Sequence, residues 1–119
     1  MQTLLLDDNL LTQTKVQAQL KAAGAQVTTK RALPPNADYQ LIVINLGSRS
    51  MPGLELLQSA KTQYPNAKIW AYCGHLEIEI RRAALKIGLD KLLTNEVAMS
   101  ELAPQVQAVF QVPPATENQ

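Results

Sequence analysis

The chain has 119 residues, of which 46% are hydrophobic and 18% charged, and a net charge of +1 at pH 7, which indicates one globular domain rather than a disordered chain. Basic residues never exceed two in a row, so we expect no positive field for nucleic acid or an anionic membrane. The single cysteine excludes an internal disulfide, and no signal peptide or membrane-length apolar stretch is present, so we expect a cytoplasmic protein.

Apolar runs and turn residues predict strands that alternate with helices along the chain. The predicted strands cover residues 3–6, 25–29, 40–45, 67–73 and 89–93. The predicted helices cover residues 8–23, 52–64 and 76–87, with a last helix that starts near residue 100.

Local signals support individual elements. In the first helix Leu11, Val16 and Leu20 recur near helical spacing, and Gly24 is placed to stop it. The third strand is continuously apolar, as expected where both faces of a strand are covered. In the last helix, Pro104 is tolerated only in the first turns, so we expect it to delay the start of the helix or to bend it.

The alternation of strands and helices predicts an α/β fold with a doubly wound parallel sheet of five strands. The flavodoxin-like strand order 2-1-3-4-5 is the expected arrangement. Ligands of such sheets lie beyond the carboxyl ends of the strands, where the strand order reverses between the first and third strands. Asp7 and Asp8 follow the first strand and Asn45 closes the third, so all three are predicted at this place.

The connection between the second and third strands is short and contains Pro34 and Pro35. Each proline disfavours helix at its own position and at the residue before it, so a helix here should be missing or reduced to one turn. Two consequences are open. Apolar sheet surface near Val27 and Ile42 could be exposed as an interaction site, or the loop and Leu33 could fold over the gap.

From residue 3 to about residue 110 the chain resembles the receiver domains of bacterial two-component response regulators, the CheY-like family. The resemblance rests on markers that occur in the family's order: Asp7-Asp8, Asn45, Gly53-Leu54-Glu55-Leu56, Cys73-Gly74 and Gly88-Leu89-Asp90. It implies the fold given above. It also implies that Asn45 occupies the position of the aspartate that accepts a phosphoryl group.

The same resemblance indicates a degenerate phosphorylation site at four positions. An amide at Asn45 has no nucleophilic oxygen at neutral pH, so an acyl phosphate cannot form there. Cys73 replaces a hydroxyl residue with a thiol, which is a weak donor, and Asn95 replaces a lysine with a neutral side chain. Leu92 replaces the switch aromatic and has no ring to move between two states.

Asp7 and Asp8 have two interpretations. Carboxylates before a helix can cap it and interact favourably with its dipole. Alternatively, a weak Mg²⁺ site could use Asp8, Asp7 through water, the side-chain oxygen of Asn45 and the carbonyl of Gly47. We expect no other cofactor, and Mg²⁺ binding that is weak or absent.

These observations predict a phosphorylation-independent pseudo-receiver that is not an enzyme and that binds a protein partner or a second copy of itself. We expect neither nucleic acid nor a membrane as a partner of this domain. In receivers the helix before the fifth strand, that strand and the last helix form a binding face. The candidate interaction surface there contains Glu77, Arg81, Lys86 and Lys91.

Two alternatives remain at this stage. One is an active receiver that uses Asp7 or Asp8 as the phosphoacceptor. The other is that the chain is the input domain of a longer regulator with a DNA-binding or enzymatic output domain. The domain is predicted to cover residues 1–111, and residues 112–119 have the composition of a tail or of the start of a linker.

Overall fold

Five parallel strands form one sheet in the order β2-β1-β3-β4-β5, which confirms the predicted flavodoxin-like topology. The computed structural model describes residues 1–35 and 37–110, so the predicted tail at residues 112–119 lies outside the described residues. The strands are β1 (Gln2–Leu6), β2 (Gln26–Lys30), β3 (Leu41–Asn45), β4 (Lys68–Cys73) and β5 (Lys91–Thr94). The helices are α1 (Leu10–Ala22), α2 (Gly53–Gln63), α3 (Ile78–Ile87), α4 (Asn95–Ser100) and α5 (Leu102–Phe110).

Alternate side chains of the sheet build two cores, one on each face. Leu4 and Leu6 of β1 belong to the core shared with α2 and α3. Leu5 belongs to the opposite core, which is shared with α1, α4 and α5. All residues of β3 are buried, as its continuous apolar run predicts for a strand covered on both faces. Among the helices of the described residues, none is both long and apolar enough to cross a membrane.

Helix α1 differs from its prediction at its first turn. Its N-cap is Asn9, whose side-chain oxygen accepts from the backbone N–H groups of Leu11 and Thr12. The buried face carries Thr12 and Val16, whereas Leu11 is 67% exposed. Leu11 therefore does not share the buried face of Val16 and Leu20, and Thr12, which donates to the buried Asp7, lies there instead. Gly24, with a φ of 93°, follows the helix as predicted.

The segment after β5 forms two helices rather than one late helix. Helix α4 begins at Asn95, directly after β5, and the side chain of Thr94 caps it by accepting from the Val97 N–H. The helical path breaks at Glu101, so that Pro104 falls in the first turn of α5. A proline there displaces no helical hydrogen bond, which explains why the helix restarts just before it.

The connection between β2 and β3 contains no helix in its described residues, 31–35 and 37–40, which confirms the predicted loss. Leu33 and Tyr39 instead pack against the core on the α2 face, and the Tyr64 hydroxyl donates to the Pro34 carbonyl. Ile42 is completely buried. The expectation of exposed apolar surface at Ile42 was therefore wrong, and the alternative, a loop folded over the gap, is confirmed.

Leu33→Ala should test this cover, because it removes the main apolar side chain that the loop places over the sheet. We expect the free energy of unfolding to fall by about 1–2 kcal/mol, less than for a fully buried leucine. Urea denaturation can be followed by the fluorescence of Trp70, the chain's single tryptophan, which is 1% exposed.

Leu10→Ala is the matched control, because Leu10 is 78% exposed and the chemical change is identical. We expect a change within about 0.5 kcal/mol for that variant. An equal fall in the free energy of unfolding in the two variants would mean that Leu33 of the loop does not stabilise the sheet.

Candidate functional site

The polar side chains predicted to meet at the carboxyl edge of the sheet do so. A cleft of about 390 Å³ opens there. It is lined by Asp8, Asn9, Thr12, Asn45, Gly47, Ser48, Arg49, Ser50, Glu77 and Asn95. Asp7 is 1% exposed and accepts from Asn45, so a buried carboxylate lies next to a residue that lines the cleft.

Asn45 binds Asp7 directly. Its Nδ2 donates to Asp7 Oδ1 at 3.0 Å, and its Oδ1 accepts from the Gly47 N–H at 2.9 Å. Asn45 is only 5% exposed, so this contact lies in a low-dielectric interior. The amide is therefore a donor to the acidic residue of β1, a role that an ionised aspartate at position 45 could not perform.

Asp7 receives three further hydrogen bonds, all from neutral groups. The Asn9 N–H donates to Oδ1 at 2.8 Å and the Thr12 hydroxyl donates to Oδ2 at 2.7 Å. The Tyr72 hydroxyl also donates to Oδ2. Burial and the neighbouring Asp7 raise the pKa of Tyr72 well above its ordinary value, so the phenol keeps its proton. Both oxygens of the buried carboxylate are thus satisfied within the chain.

Asp8 is held by a different set of partners at the rim of the cleft. The hydroxyls of Ser48 and Ser50 donate to its two carboxylate oxygens, each at 2.5 Å. The guanidinium of Arg31, from the shortened connection after β2, lies 3.6 Å from Oδ2. The two serine hydrogen bonds, followed by the charge of Arg31, lower the pKa of Asp8, so its anionic form is favoured.

Neither Asp7 nor Asp8 caps α1, because its N-cap is Asn9, so that part of the first interpretation was wrong; the favourable interaction with the helix dipole stays a prediction. The structure brings Asp7, Asp8 and Gly47 to one edge, as the Mg²⁺ hypothesis requires. However, the described residues contain no cluster of three or more acidic, histidine or cysteine side chains that could hold a metal ion. A cation at Asp8 would also have to compete with hydroxyl and guanidinium donors.

The other positions that the resemblance predicts to be degenerate are Cys73, Leu92 and Asn95. Cys73 is fully buried, and burial raises the pKa of its thiol, which makes it an unreactive side chain. Leu92 packs against the core on the α2 face. Asn95, the first residue of α4, reaches the cleft, and its Oδ1 is buried without a hydrogen-bond partner among the described residues.

Three of the four residues of the candidate interaction surface make contacts within the chain. Glu77 lines the cleft and accepts from the Gly74 N–H. Arg81 donates to the Leu93 carbonyl at 3.3 Å and approaches the sulfur of Cys73. Lys91 lies 4.7 Å from the ring centre of Trp70 and donates to Gln105. Lys86, in the last turn of α3, is exposed.

Sequence reasoning missed several residues that build the site. These are Thr12, Arg31, Ser48, Ser50 and Tyr72, together with the cleft position of Glu77. For Thr12 a signal was available, since it stands four residues before Val16 and eight before Leu20 on the buried face of α1. The others depend on which loops meet in space.

Comparison with known proteins supports the receiver resemblance. No family model matches the chain. The cell cycle transcriptional regulator CtrA of Caulobacter vibrioides is 26% identical over 115 residues, which cover 92% of this chain and 50% of that protein. Transcriptional regulatory protein QseB of Haemophilus influenzae is 26% identical over 116 residues, covering 92% and 52%. The chain thus spans about half the length of the curated relatives it matches.

Solved structures agree on the fold. A CheY-like receiver domain protein from Methanospirillum hungatei superposes with a TM-score of 0.77 at 20% identity, covering 92% of this chain and 93% of that one. The receiver domain of a Francisella response regulator superposes with a TM-score of 0.74 at 22% identity, covering 92% and 96%. The fold is therefore that of the CheY-like receiver domains of response regulators.

Asn45→Asp should destabilise the fold at neutral pH, because it replaces a donor to Asp7 with a second carboxylate. Like charges at this distance raise one pKa of the pair, and a rise of about two units corresponds to about 3 kcal/mol. One carboxyl of the pair then has a higher pKa in the folded state than in the unfolded state. The loss in the free energy of unfolding is therefore absent below about pH 4 and grows as the pH rises. Urea denaturation between acid and neutral pH measures this.

Asn66→Asp is the control, since Asn66 is exposed and the charge change is the same.

Millimolar Mg²⁺ should recover part of the lost stability in Asn45→Asp, because facing carboxylates suit a divalent cation. Wild-type stability in metal-free Asn45→Asp at neutral pH would contradict the role given to the amide.

The paired change Ser48→Ala and Ser50→Ala should raise the pKa of Asp8 toward its ordinary value of 3.8. In the wild type the lowered pKa stabilises the fold above that value, and the contribution is lost as the pH falls through the folded pKa. The stability difference between wild type and variant should therefore shrink on acidification. Carbon NMR of the carboxyl group gives the pKa, and the exposed Ser59→Ala is the control.

Proposed function

We propose that this chain is a phosphorylation-independent pseudo-receiver, a non-enzymatic protein-interaction module of bacterial two-component signalling that acts in the cytoplasm. One observation carries the proposal: the side chain at the phosphoacceptor position, Asn45, donates its amide hydrogen to Asp7. An active receiver needs a free carboxylate there to attack phosphorus. The amide has no such oxygen, and its remaining oxygen is bound by the Gly47 N–H.

The surroundings of Asn45 support the same conclusion. Phosphoryl transfer relies on positioning and on positive charge to stabilise the transferring group. Asn95 is neutral at the lysine position, and Cys73 is a buried thiol at the hydroxyl position. Arg49 lines the cleft but is exposed on a loop. The cleft therefore lacks the pre-organised cation that the reaction would need.

The rival proposal, phosphorylation of Asp7 or Asp8, is disfavoured by the hydrogen bonds of both residues. Both oxygens of Asp7 accept from donors within the chain, and the residue is 1% exposed. Both oxygens of Asp8 accept from serine hydroxyls, and Arg31 lies beside it. A reaction at either residue would first have to break these contacts.

A module without phosphorylation should hold one conformation, and Arg81 supports this. Its guanidinium joins α3 to the end of β5 through the Leu93 carbonyl. Leu92, at the position of the switch aromatic, is anchored in the core on the α2 face. We therefore propose that the module offers a constant surface to a protein partner or to a second copy. Of the predicted surface, Lys86 is exposed on the outer side of α3, and the exposed Leu85, which was not predicted, lies next to it.

A second candidate is that the domain acts as the input half of a longer regulator. The observation in its favour is that CtrA and QseB, both named as transcriptional regulators, are about twice as long as the segment they share with this chain. The output domain would then be the partner of the constant surface. The full reading frame in the source genome distinguishes this from a single-domain module.

Acetyl phosphate tests the central proposal. Intact-mass spectrometry of the wild-type chain, after incubation with acetyl phosphate and Mg²⁺, should show no stable gain of a phosphoryl group. The reason is that the amide of Asn45 is not a nucleophile and that the carboxylates of Asp7 and Asp8 accept hydrogen bonds from other residues of the chain.

The variants Asp7→Asn and Asp8→Asn are treated in the same way, because each removes one possible phosphoacceptor. A working receiver treated in parallel confirms that the reagent is active. A gain of one phosphoryl group in the wild type would overturn the proposal. If that gain were lost in only one of the two variants, the rival acceptor would be identified.

A further inference from the structure

The two edges of the sheet differ in how their outward backbone groups are used. Strand β5 forms one edge, and there the guanidinium of Arg81 donates to the Leu93 carbonyl at 3.3 Å. Strand β2 (Gln26–Lys30) forms the other edge, and among the described strands it pairs only with β1. An edge strand with free backbone groups is a template for another strand, so the two edges are not equivalent as binding surfaces.

Two residues of β2 direct their backbone groups away from the sheet. The Gln26 N–H donates to the Met1 carbonyl, so the backbone groups of Gln26 face β1. The direction alternates along a strand, so the groups of Thr28 also face β1, whereas those of Val27 and Thr29 face outward. Within the described part of the chain, no backbone hydrogen bond reaches these outward groups. The β2 edge therefore presents two donors and two acceptors.

The usual devices that protect a sheet edge are missing from the middle of β2. Residues 27–29 are β-branched, uncharged and only half-buried, and the charged Lys30 stands at the end of the strand. The connection that follows has no helix in its described residues and packs Leu33 and Tyr39 against the core on the α2 face. These contacts lie on a face of the sheet and not along its edge.

We propose that the β2 edge is a self-association surface, on which β2 of a second copy of this chain adds to the sheet in antiparallel orientation. The contact is isologous and closes about a two-fold axis, so it produces a dimer with one continuous sheet. The inference names the second copy that the proposed function leaves open as a partner, and it rests on that function in no other respect.

The sequence of β2 is self-complementary about Thr28. When two copies overlap along the whole strand, Val27 lies opposite Thr29 of the second copy, and such a pair exchanges two hydrogen bonds. The pair occurs twice by symmetry, so every outward donor finds an acceptor. Thr28 lies opposite its own counterpart on the two-fold axis. Gln26 lies opposite Lys30, so no like charges are opposed.

This symmetry favours a second copy over an unrelated strand. The overlap uses the full length of β2 without a shift, and β-branched side chains meet β-branched side chains on both sides of the axis. The contact is one short strand wide, which places it at the low end of interface sizes. We therefore expect a weak dimer, with a dissociation constant between about 10 μM and about 1 mM.

Sedimentation velocity over that concentration range tests the association, and we expect the wild type to change from monomer to dimer. Thr29→Pro removes an outward N–H but no bond to β1, and an edge strand accepts proline at such a position. Both copies carry the change, so two bonds are lost and the dissociation constant should rise about tenfold or more.

Thr29→Val is the matched control. It keeps the outward N–H and the β-branched shape, and like the proline variant it loses the hydroxyl that accepts from Gln17. Its dissociation constant should stay within about threefold of the wild-type value.

Disulfide formation tests the register. Thr28→Cys should cross-link two copies on mild oxidation, because directly opposed residues of a non-hydrogen-bonded pair have Cα atoms about 4.5 Å apart. Gln26→Cys should not cross-link, because its counterpart lies about 13 Å away along the strand. The native Cys73 is fully buried and should not react in either variant.

Three outcomes would overturn the inference. The first is a wild type that stays monomeric across the range. The second is equal dimerisation of Thr29→Pro and Thr29→Val, which would assign the association to another face. The third is equal cross-linking of the two cysteine variants. If Thr29→Pro does not fold, the cross-linking comparison decides. No phosphoryl donor is used, so failure here is separate from failure in the acetyl phosphate experiment.

Discussion

The hydrogen bond from Asn45 to Asp7 helps to satisfy a carboxylate that is almost completely buried at the edge of the sheet. Burying an unpaired charge is costly, and a buried anion usually needs a metal or a basic side chain beside it. Here the neutral donors Asn45, Thr12 and Tyr72 share that task with a backbone N–H. An ionised aspartate at position 45 could not donate to Asp7, whereas the amide of Asn45 does and so stabilises the acid it faces.

The shortened connection after β2 and the altered site are physically joined. Without a helix there, Arg31 follows β2 directly and reaches Asp8, while Leu33 covers the adjacent sheet. Ser48 and Ser50 complete the shell of Asp8 from the other side. A divalent ion in an ordinary acidic site would supply positive charge to the same carboxylate. The connection therefore places a positive charge beside Asp8 and also covers the core.

The parts of the fold that follow local rules could be predicted from the sequence. The apolar run of β3 required burial on both faces, and Gly24 stops α1 because its positive φ suits glycine. The burial of Thr12 depends on its hydrogen bond to Asp7, which lies between β1 and α1 and gives no apolar periodicity. The inward turn of Glu77 likewise depends on Gly47, thirty residues earlier, whose missing side chain leaves room for it. Such contacts between distant segments have no periodic signal in the sequence.

Contacts within the chain at the edge of the sheet bear on how the proposed module could be regulated. A ligand shifts a conformational equilibrium only by its difference in affinity for the two states. Here Glu77 accepts from the Gly74 N–H and Arg31 lies beside Asp8, so these contacts form without an added ligand. Signalling through the proposed module would then depend on how much of it is present and on which partners compete for its surface. Under that proposal, the outer side of α3 carries specificity, and the cleft fixes the shape in which it is presented.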